Sequence, residues 1–348
     1  MSFKRFDAED VLVSAESIST PVWSGNTTTL TTFFTSSTQV GGATGDYYYN
    51  IYQTSASLDA ARVQFSLAYG NKDGKAAINY NPNVSGKSPS STIYGQYRSL
   101  ILGDEESDFI FGGVASDSFY AISIDRARYK EKLLPGTFTL KLAHSSSNGN
   151  TYVKTLTDNS KVASTVTFTD AGRVYELVSG SLGTVNTSLT NNGYTIANGS
   201  YGKLLPDVGV ILLNINALNS APVSGGLRLN EFQGADSATF SGSATNLSRG
   251  FDMITRGGSF RIQSEETVSS NFVFVRARNS EFNYSSNPSL ITGSGELRHD
   301  VMINSPQSYI TAVGLYNDNN DLVAVAKLSR PLLKDFRKEA LVRVKLDY

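Results

Sequence analysis

Short segments in which apolar and polar residues alternate recur along the chain, and this pattern constrains the fold more than any other feature. In Arg62–Tyr69, the apolar residues Val63, Phe65 and Leu67 alternate with polar ones. Leu341–Leu346 repeats the pattern near the end of the chain. A period of two residues is typical of a β-strand with one buried face. Because turn-forming residues separate such segments and few helical patterns intervene, we expect an all-β fold, mainly antiparallel.

Four other segments give sharper expectations. Val208–Ile215 is nearly continuously apolar, which predicts a central strand buried on both faces. Thr92–Leu102 has apolar residues at helical spacing and is the best helix candidate in the first half. Tyr309–Leu328, with the polar stretch NDNND at its centre, predicts a hairpin. Pro331 predicts a short helix over Leu332–Glu339, since proline is tolerated at a helix start.

The length of 348 residues predicts two or three domains. We place an N-terminal β-rich domain with an extended arm at 1–135, a middle β-rich domain at 136–265 and a C-terminal β domain at 266–348. Each is expected to be sandwich-like or barrel-like, with long loops. Only 18% of residues are charged, against roughly 25% in an ordinary domain, while 11% are aromatic. Together with many small polar residues, this composition suits pleated, half-solvated sheets with many turns.

Charge and cysteine content exclude several classes of function. The net charge is −1, so the basic footprint of a nucleic-acid-binding protein is missing and no nucleic-acid partner is expected. There is no cysteine, which excludes disulfides and thiolate metal ligands and fits assembly in a reducing cytosol. No apolar stretch follows the basic residues at the start, so no secretory signal is predicted. The longest apolar runs are too short to cross a bilayer, and no membrane partner is expected.

Candidate catalytic and metal-binding residues are few. His144 and His299 have no partner at ligand spacing, and each is predicted to be an isolated surface histidine. The acidic groups at 104–108 and Glu265–Glu266 could supply the paired carboxylates of a glycosidase, although solvated loops explain them better. Asn317–Asp321 resembles the start of a calcium loop but lacks the later glycine and glutamate, so a turn is favoured. We therefore predict no catalytic residue, no metal and no cofactor.

Aromatic residues near the N-terminus are the candidates for an interaction surface. The tyrosines of Tyr47–Tyr52 could stack against sugars or a partner, although a strand with tyrosine on both faces, one of them in the core, is favoured. The threonine-rich stretch Ser24–Thr38 reads as an arm that reaches a neighbouring molecule, so deletion of Met1–Thr38 is expected to leave a folded remainder. The predicted interface residues are Trp23, Phe33, Phe34, Tyr47, Tyr49 and Tyr348.

Several segments resemble virion structural proteins, of the baseplate-wedge type, from large contractile-tailed bacteriophages. The resemblance implies a non-enzymatic subunit of the phage tail, assembled in the host cytoplasm. Its partners would be other tail or baseplate proteins and copies of itself in a homo-oligomer. Two alternatives stay open: a receptor- or carbohydrate-binding tail tip protein, and a depolymerase with paired carboxylates. The resembling segments are Phe272–Leu290, Tyr309–Phe336 and Val342–Tyr348 at the C-terminus, and Phe6–Asn26, Tyr49–Thr54, Ile93–Glu105 and Asp125–Thr137 at the N-terminus.

Overall fold

The computed structural model describes residues 4–36, 48–75, 88–145, 149–186, 199–229, 243–284 and 287–347. The chain divides into two compact units. We call Ile18–Glu266 the large unit, and Met1–Ser17 with Thr267–Tyr348 the small unit. The predicted boundary at 265/266 falls within one residue of this division. The predicted boundary at 135/136 falls inside the large unit, and the division into three domains stays a prediction.

Strands dominate both units, and the prediction of a mainly antiparallel all-β fold is confirmed. The α-helices are α1 (Pro89–Leu102), α2 (Ile215–Asn219), α3 (Ser243–Gly257) and α4 (Val301–Asn304). The strands are β1 (Val11–Pro21), β2 (Thr29–Leu30), β3 (Phe34–Thr35), β4 (Tyr48–Tyr52), β5 (Val63–Asn71), β6 (Phe109–Phe111), β7 (Val114–Ser116), β8 (Ser118–Ile124), β9 (Lys132–Leu133), β10 (Thr139–Ser145), β11 (Thr151–Asp158), β12 (Thr167–Thr169), β13 (Gly172–Ser181), β14 (Thr184–Val185), β15 (Gly202–Leu205), β16 (Val210–Asn214), β17 (Ser259–Arg261), β18 (Gln263–Ala277), β19 (Gln307–Tyr316), β20 (Leu322–Asp335) and β21 (Ala340–Asp347).

One curled sheet organises the large unit. Its strand order is β2-β17-β10-β11-β13-β15-β16-β8-β5-β4-β3, and neighbouring strands pair antiparallel. The two edge strands, β2 and β3, are separated by only three residues of chain. Three residues can bridge about 14 Å at most, so the two edges of the sheet must lie close together. The sheet therefore curves round like a barrel.

Both faces of this sheet are covered. The larger core cluster lies on one face and includes Phe65, Phe138 and Phe260 together with residues of α3. The second cluster lies on the other face, where α1 and the β6–β7 hairpin pack. On β16, Ile211 belongs to the first cluster and Leu212 to the second. The expected central strand buried on both faces is confirmed by β16, which is buried at every position.

Helix α1 begins three residues before the predicted helix because of its cap. Ser88 and Ser91 form a reciprocal capping box, and Pro89 occupies the first turn. The helix ends at Gly103, which adopts the left-handed conformation with φ of 72°.

The small unit has two layers. In the first layer, residues Ser270–Ala277 of β18 pair in register with β21. The second layer is the hairpin β19–β20, whose turn is Asn317–Asp321. Leu315 of the hairpin packs with Val273 and Val344 of the sheet. The predicted hairpin is thus confirmed, with one apolar face directed at its own sheet.

The predicted helix over Leu332–Glu339 is wrong, because β20 continues to Asp335. Leu332 pairs with Ile310 and Leu333 with Tyr309 across the hairpin. Pro331 lies where the register shifts between the two halves of β20, so its missing N–H costs no regular ladder bond. Proline at a strand irregularity and proline at a helix start are indistinguishable in the sequence.

Candidate assembly surface

Of the two histidines considered for catalysis or metal binding, one is buried and one is exposed. His144 is buried, and its Nδ1 lies 3.1 Å from the carbonyl oxygen of Leu227. Burial lowers the pKa of His144 below its ordinary value. The expectation of a surface histidine is therefore wrong for His144, while His299 is exposed as expected.

The acidic loop at 104–108 is organised as a turn and an ion pair. Asp104 accepts hydrogen bonds from the amides of Glu106 and Ser107, and hydrogen bonds from Ser107 lower its pKa. A general acid of a glycosidase needs a raised pKa, which is the opposite shift. Asp108 pairs with Lys72 at 2.5 Å. Asp104 and Asp108, two of the four acidic residues of this loop, thus take part in a turn and in an ion pair.

The acidic residues outside this loop that were considered also form ion pairs or turn hydrogen bonds. Glu265 and Glu266 lie 3.7 and 2.9 Å from Lys132 and Lys130 respectively. In the hairpin turn, Oδ1 of Asn317 accepts the amide hydrogens of Asn319 and Asp321, and a turn explains the stretch. Among the described residues, no group of three or more histidine or acidic side chains could hold a metal ion.

Three of the six predicted interface residues belong to the core of the large unit. Trp23 is 2% exposed and contacts Phe260 and Phe65 edge to face, at centroid distances of 4.8 and 6.2 Å. Phe33 and Tyr49 are also buried. Phe34 is 43% exposed and remains available to a partner. Tyr47 and Tyr348 lie outside the described residues.

The expected arm is part of the sheet over its described residues, 24–36, which is a correction. Thr29–Leu30 pairs with β17, and Phe34–Thr35 pairs with β4. A threonine-rich stretch suits a free arm and an edge strand equally well, and here the buried side chains of Leu30 and Phe33 hold it on its own chain. Deletion of Met1–Thr38 would therefore remove core residues rather than leave an intact remainder. The tyrosine strand follows the favoured expectation, with Tyr48 exposed and Tyr49 buried.

Among the described residues, a group of exposed apolar side chains lies on the hairpin of the small unit. Its inner side chains cover the β18–β21 sheet, but its outer face also carries apolar side chains. An ideal Cβ on Gly314 would lie 3.0 Å from Tyr316 and 3.1 Å from Leu322, so these two side chains fold over the glycine. Val325 pairs with Gly314 across the hairpin. We define the hairpin patch as the exposed side chains Tyr309, Tyr316, Leu322, Val323 and Val325.

This surface was missed at the level of sequence, although a signal was present. In a hairpin with one covered face, the other face is usually polar. Here Val323 and Val325 lie outside, while Ala324 and Ala326 pack towards the sheet. Apolar residues at consecutive positions of a hairpin strand indicate two apolar faces. Exposed apolar side chains grouped on one element of a folded protein are candidates for an interaction site.

A buried lysine fixes the hairpin at its open end. Nζ of Lys334 donates to the carbonyl oxygens of Asn279 and Asp335, at 2.9 and 3.0 Å, and to Oδ1 of Asn283 at 2.7 Å. The Lys334 side chain has no exposed surface. These bonds join β20 to the loop after β18, which orients the hairpin within the small unit.

We expect Lys334→Met to destabilise the protein by about 2 kcal/mol, because it leaves buried acceptors without a donor. Denaturant unfolding of the full chain, followed by circular dichroism, measures the change. Lys338→Met is the matched control, because Lys338 is exposed and its replacement should change stability by less than about 0.5 kcal/mol. Equal effects of the two substitutions would contradict the role of Lys334.

Among the described residues, no helix is both long enough and apolar enough to span a bilayer. Comparison with known proteins finds no matching family model, no matching curated protein and no matching solved structure.

Proposed function

We propose that this protein is a non-enzymatic structural subunit of a contractile bacteriophage tail, in the baseplate region, and that the hairpin patch is its main docking surface. Its partners are other tail proteins and copies of itself, and its location is the virion. The observation that carries the proposal is the exposed apolar outer face of β19–β20. A subunit that is completed by its neighbours needs such a surface.

The distribution of the resembling segments supports this reading. Tyr309–Phe336 covers nearly all of the hairpin, and Phe272–Leu290 and Val342–Tyr348 cover much of the sheet beneath it. The part of the chain that resembles phage structural proteins most extensively therefore coincides with the unit that exposes apolar strands.

A second exposed row in the same unit supports an assembly role. Val11, Leu12 and Val13 are consecutive in β1 and all are exposed. Consecutive side chains of a strand point to opposite faces, so both faces of this segment carry apolar groups. Exposed apolar surface of this kind costs solubility in a monomer and is typical of a surface that neighbours cover.

The free energy of binding expected from each contact is modest, but the sum over an assembly of many copies is large. Burying the side chains of Leu322, Val323 and Val325 would each contribute about 1.5–3 kcal/mol before the cost of association. Several copies bound together in one particle convert such contacts into a stable assembly, because later contacts form at a high effective concentration.

The test is incorporation into particles. Phage carrying Val325→Glu are expected to contain at least about tenfold less of this protein in purified particles, since burial of one unpaired carboxylate costs more than 1.4 kcal/mol. Immunoblots of particles against total lysate measure the ratio. Val223→Glu is the matched control: Val223 is 96% exposed, against 58% for Val325, and lies in the large unit.

Normal incorporation of the Val325→Glu protein would remove the hairpin patch from the proposal. Absence of the wild-type protein from purified particles would overturn the proposed function itself. A density map of the particle is a direct check, because the proposal requires the hairpin patch to be covered by a neighbouring chain.

A further inference from the structure

We propose that the free edge of β19 pairs antiparallel with β19 of a second copy of this chain, about a two-fold axis near Thr311 and Ala312. This inference deepens the proposed function and rests on it, because it names the partner of the hairpin. In the part of the chain that the structure describes, β20 is the one strand that pairs with β19. In an antiparallel pair, about half of the backbone N–H and C=O groups of each strand point away from the partner. The outer edge of β19 is therefore a template for one more strand.

The two edges of the hairpin differ in how they are protected. Strand edges are commonly protected from pairing by charged residues and proline. Strand β20 has Lys327, Arg330 and Pro331 within its length. Strand β19 runs for ten residues, Gln307–Tyr316, with no charged residue and no proline. The edge of the hairpin at β20 is thus protected from pairing with another strand, whereas the edge at β19 is not.

The absence of charge on β19 favours a second copy over a different protein. When identical strands pair about a two-fold axis, a residue near the axis faces its own copy. Any charge there would face a like charge, which destabilises the pair. A sequence without charges meets this condition along the whole strand, whereas β20 would place Lys327 or Arg330 near its own copy.

The charges at the two ends of the hairpin are complementary in this arrangement. The turn carries the exposed residues Asp318 and Asp321. The open end is followed by Arg337, Lys338 and Glu339, all exposed, with an excess of one positive charge. Antiparallel pairing along β19 spans about 34 Å and brings the turn of one hairpin to the open end of the other. The positively charged open end of one hairpin thus lies towards the acidic turn of the other.

Pairing would also enlarge the docking surface. An isolated two-stranded sheet is marginal, and two hairpins joined at β19 form four strands in the order β20-β19-β19-β20. The hairpin patches of both copies then lie on one continuous sheet. A subunit pair built in this way presents twice the apolar area to the next protein of the assembly.

The test uses the purified full chain and a pair of charge variants. By sedimentation equilibrium, the wild-type chain is expected to form dimers. Thr311→Lys and Thr311→Glu should each raise the dissociation constant about tenfold or more, because two like charges then meet near the axis. Thr311 is exposed and lies at a shift in register, with no pairing partner on β20, so both variants should fold. An equimolar mixture of the two variants should recover the dimer, as opposite charges then face each other.

Ser329→Lys is the control, because it adds the same charge to β20, which does not take part in the proposed pairing. It should leave the dissociation constant of the dimer unchanged. A monomeric wild-type chain, a dimer that ignores both Thr311 variants, or a variant mixture that stays monomeric would each overturn the pairing. The outcome is separable from that of the proposed function. Loss of Val325→Glu from particles with a monomeric chain would reject the pairing alone, and a β19 dimer that is missing from particles would reject the phage role alone.

Discussion

Replacing Trp23 with alanine is expected to lower the free energy of unfolding by about 3–5 kcal/mol, the usual cost of truncating a buried tryptophan. The side chain is 2% exposed and contacts the rings of Phe65 and Phe260. Alanine is too small to fill the space that the indole ring occupies between Phe65 of β5 and Phe260 of β17. Because the chain has one tryptophan, unfolding must be followed by circular dichroism rather than by tryptophan fluorescence.

Phe34→Ala is the control for this prediction. Phe34 comes from the same N-terminal stretch but is 43% exposed, and its replacement should cost about 1 kcal/mol or less. Particles offer a second readout, since a side chain that serves a partner should affect incorporation more than stability. If Trp23→Ala were as stable as Phe34→Ala, the placement of Trp23 in its own core would be wrong, and the reading of this residue as an interface anchor would return.

Replacing Gly257 with alanine is expected to cost about 3 kcal/mol, at the upper end for overpacking. Gly257 is the last residue of α3, and an ideal Cβ there would lie 1.7 Å from the carbonyl oxygen of Lys141 in β10. Backbone cannot rotate away as a side chain can, so the helix or the strand must move. Chemical denaturation measures the loss.

The same substitution at Gly95 should have the opposite sign. Gly95 lies in the middle of α1, and an ideal Cβ there meets nothing within 4 Å. Alanine is favoured over glycine in a helix interior by about 0.5–1 kcal/mol, so Gly95→Ala should stabilise the protein. A destabilising Gly95→Ala, or a neutral Gly257→Ala, would contradict the packing described for these helices.

The alternation of apolar and polar residues predicted the strands well, because a strand with one buried face needs an apolar residue at every second position. The segments read as strands at 62–69 and 341–346 correspond closely to β5 and β21. Helix α3 was missed, although Leu247, Phe251 and Ile254 have helical spacing. Its sequence is rich in residues of low helix propensity, and tertiary packing overrides propensity. Gly250 fits this explanation, because an ideal Cβ there would lie 3.0 Å from Leu67 and 3.1 Å from Tyr120.

The candidate surface was harder to predict than the fold. Hydrophobicity marks a side chain for burial, but it does not say whether its own chain or a neighbour buries it. Trp23 and Val325 are both apolar, and the sequence around each of them is typical of strands and turns. The large sheet covers Trp23, while the hairpin leaves Val325 exposed. Only the path of the whole chain separates the two cases.

The meeting of β2 and β3 at the two ends of the curled sheet has a consequence for biosynthesis. Leu30 pairs with Phe260, about 230 residues later, so the N-terminal segment cannot take its final place until almost the whole large unit has left the ribosome. Until then, Phe260 is missing from the core cluster to which Trp23 and Phe33 belong. Closure of the sheet is therefore a late and slow folding event, and nascent chains are most vulnerable to aggregation just before it.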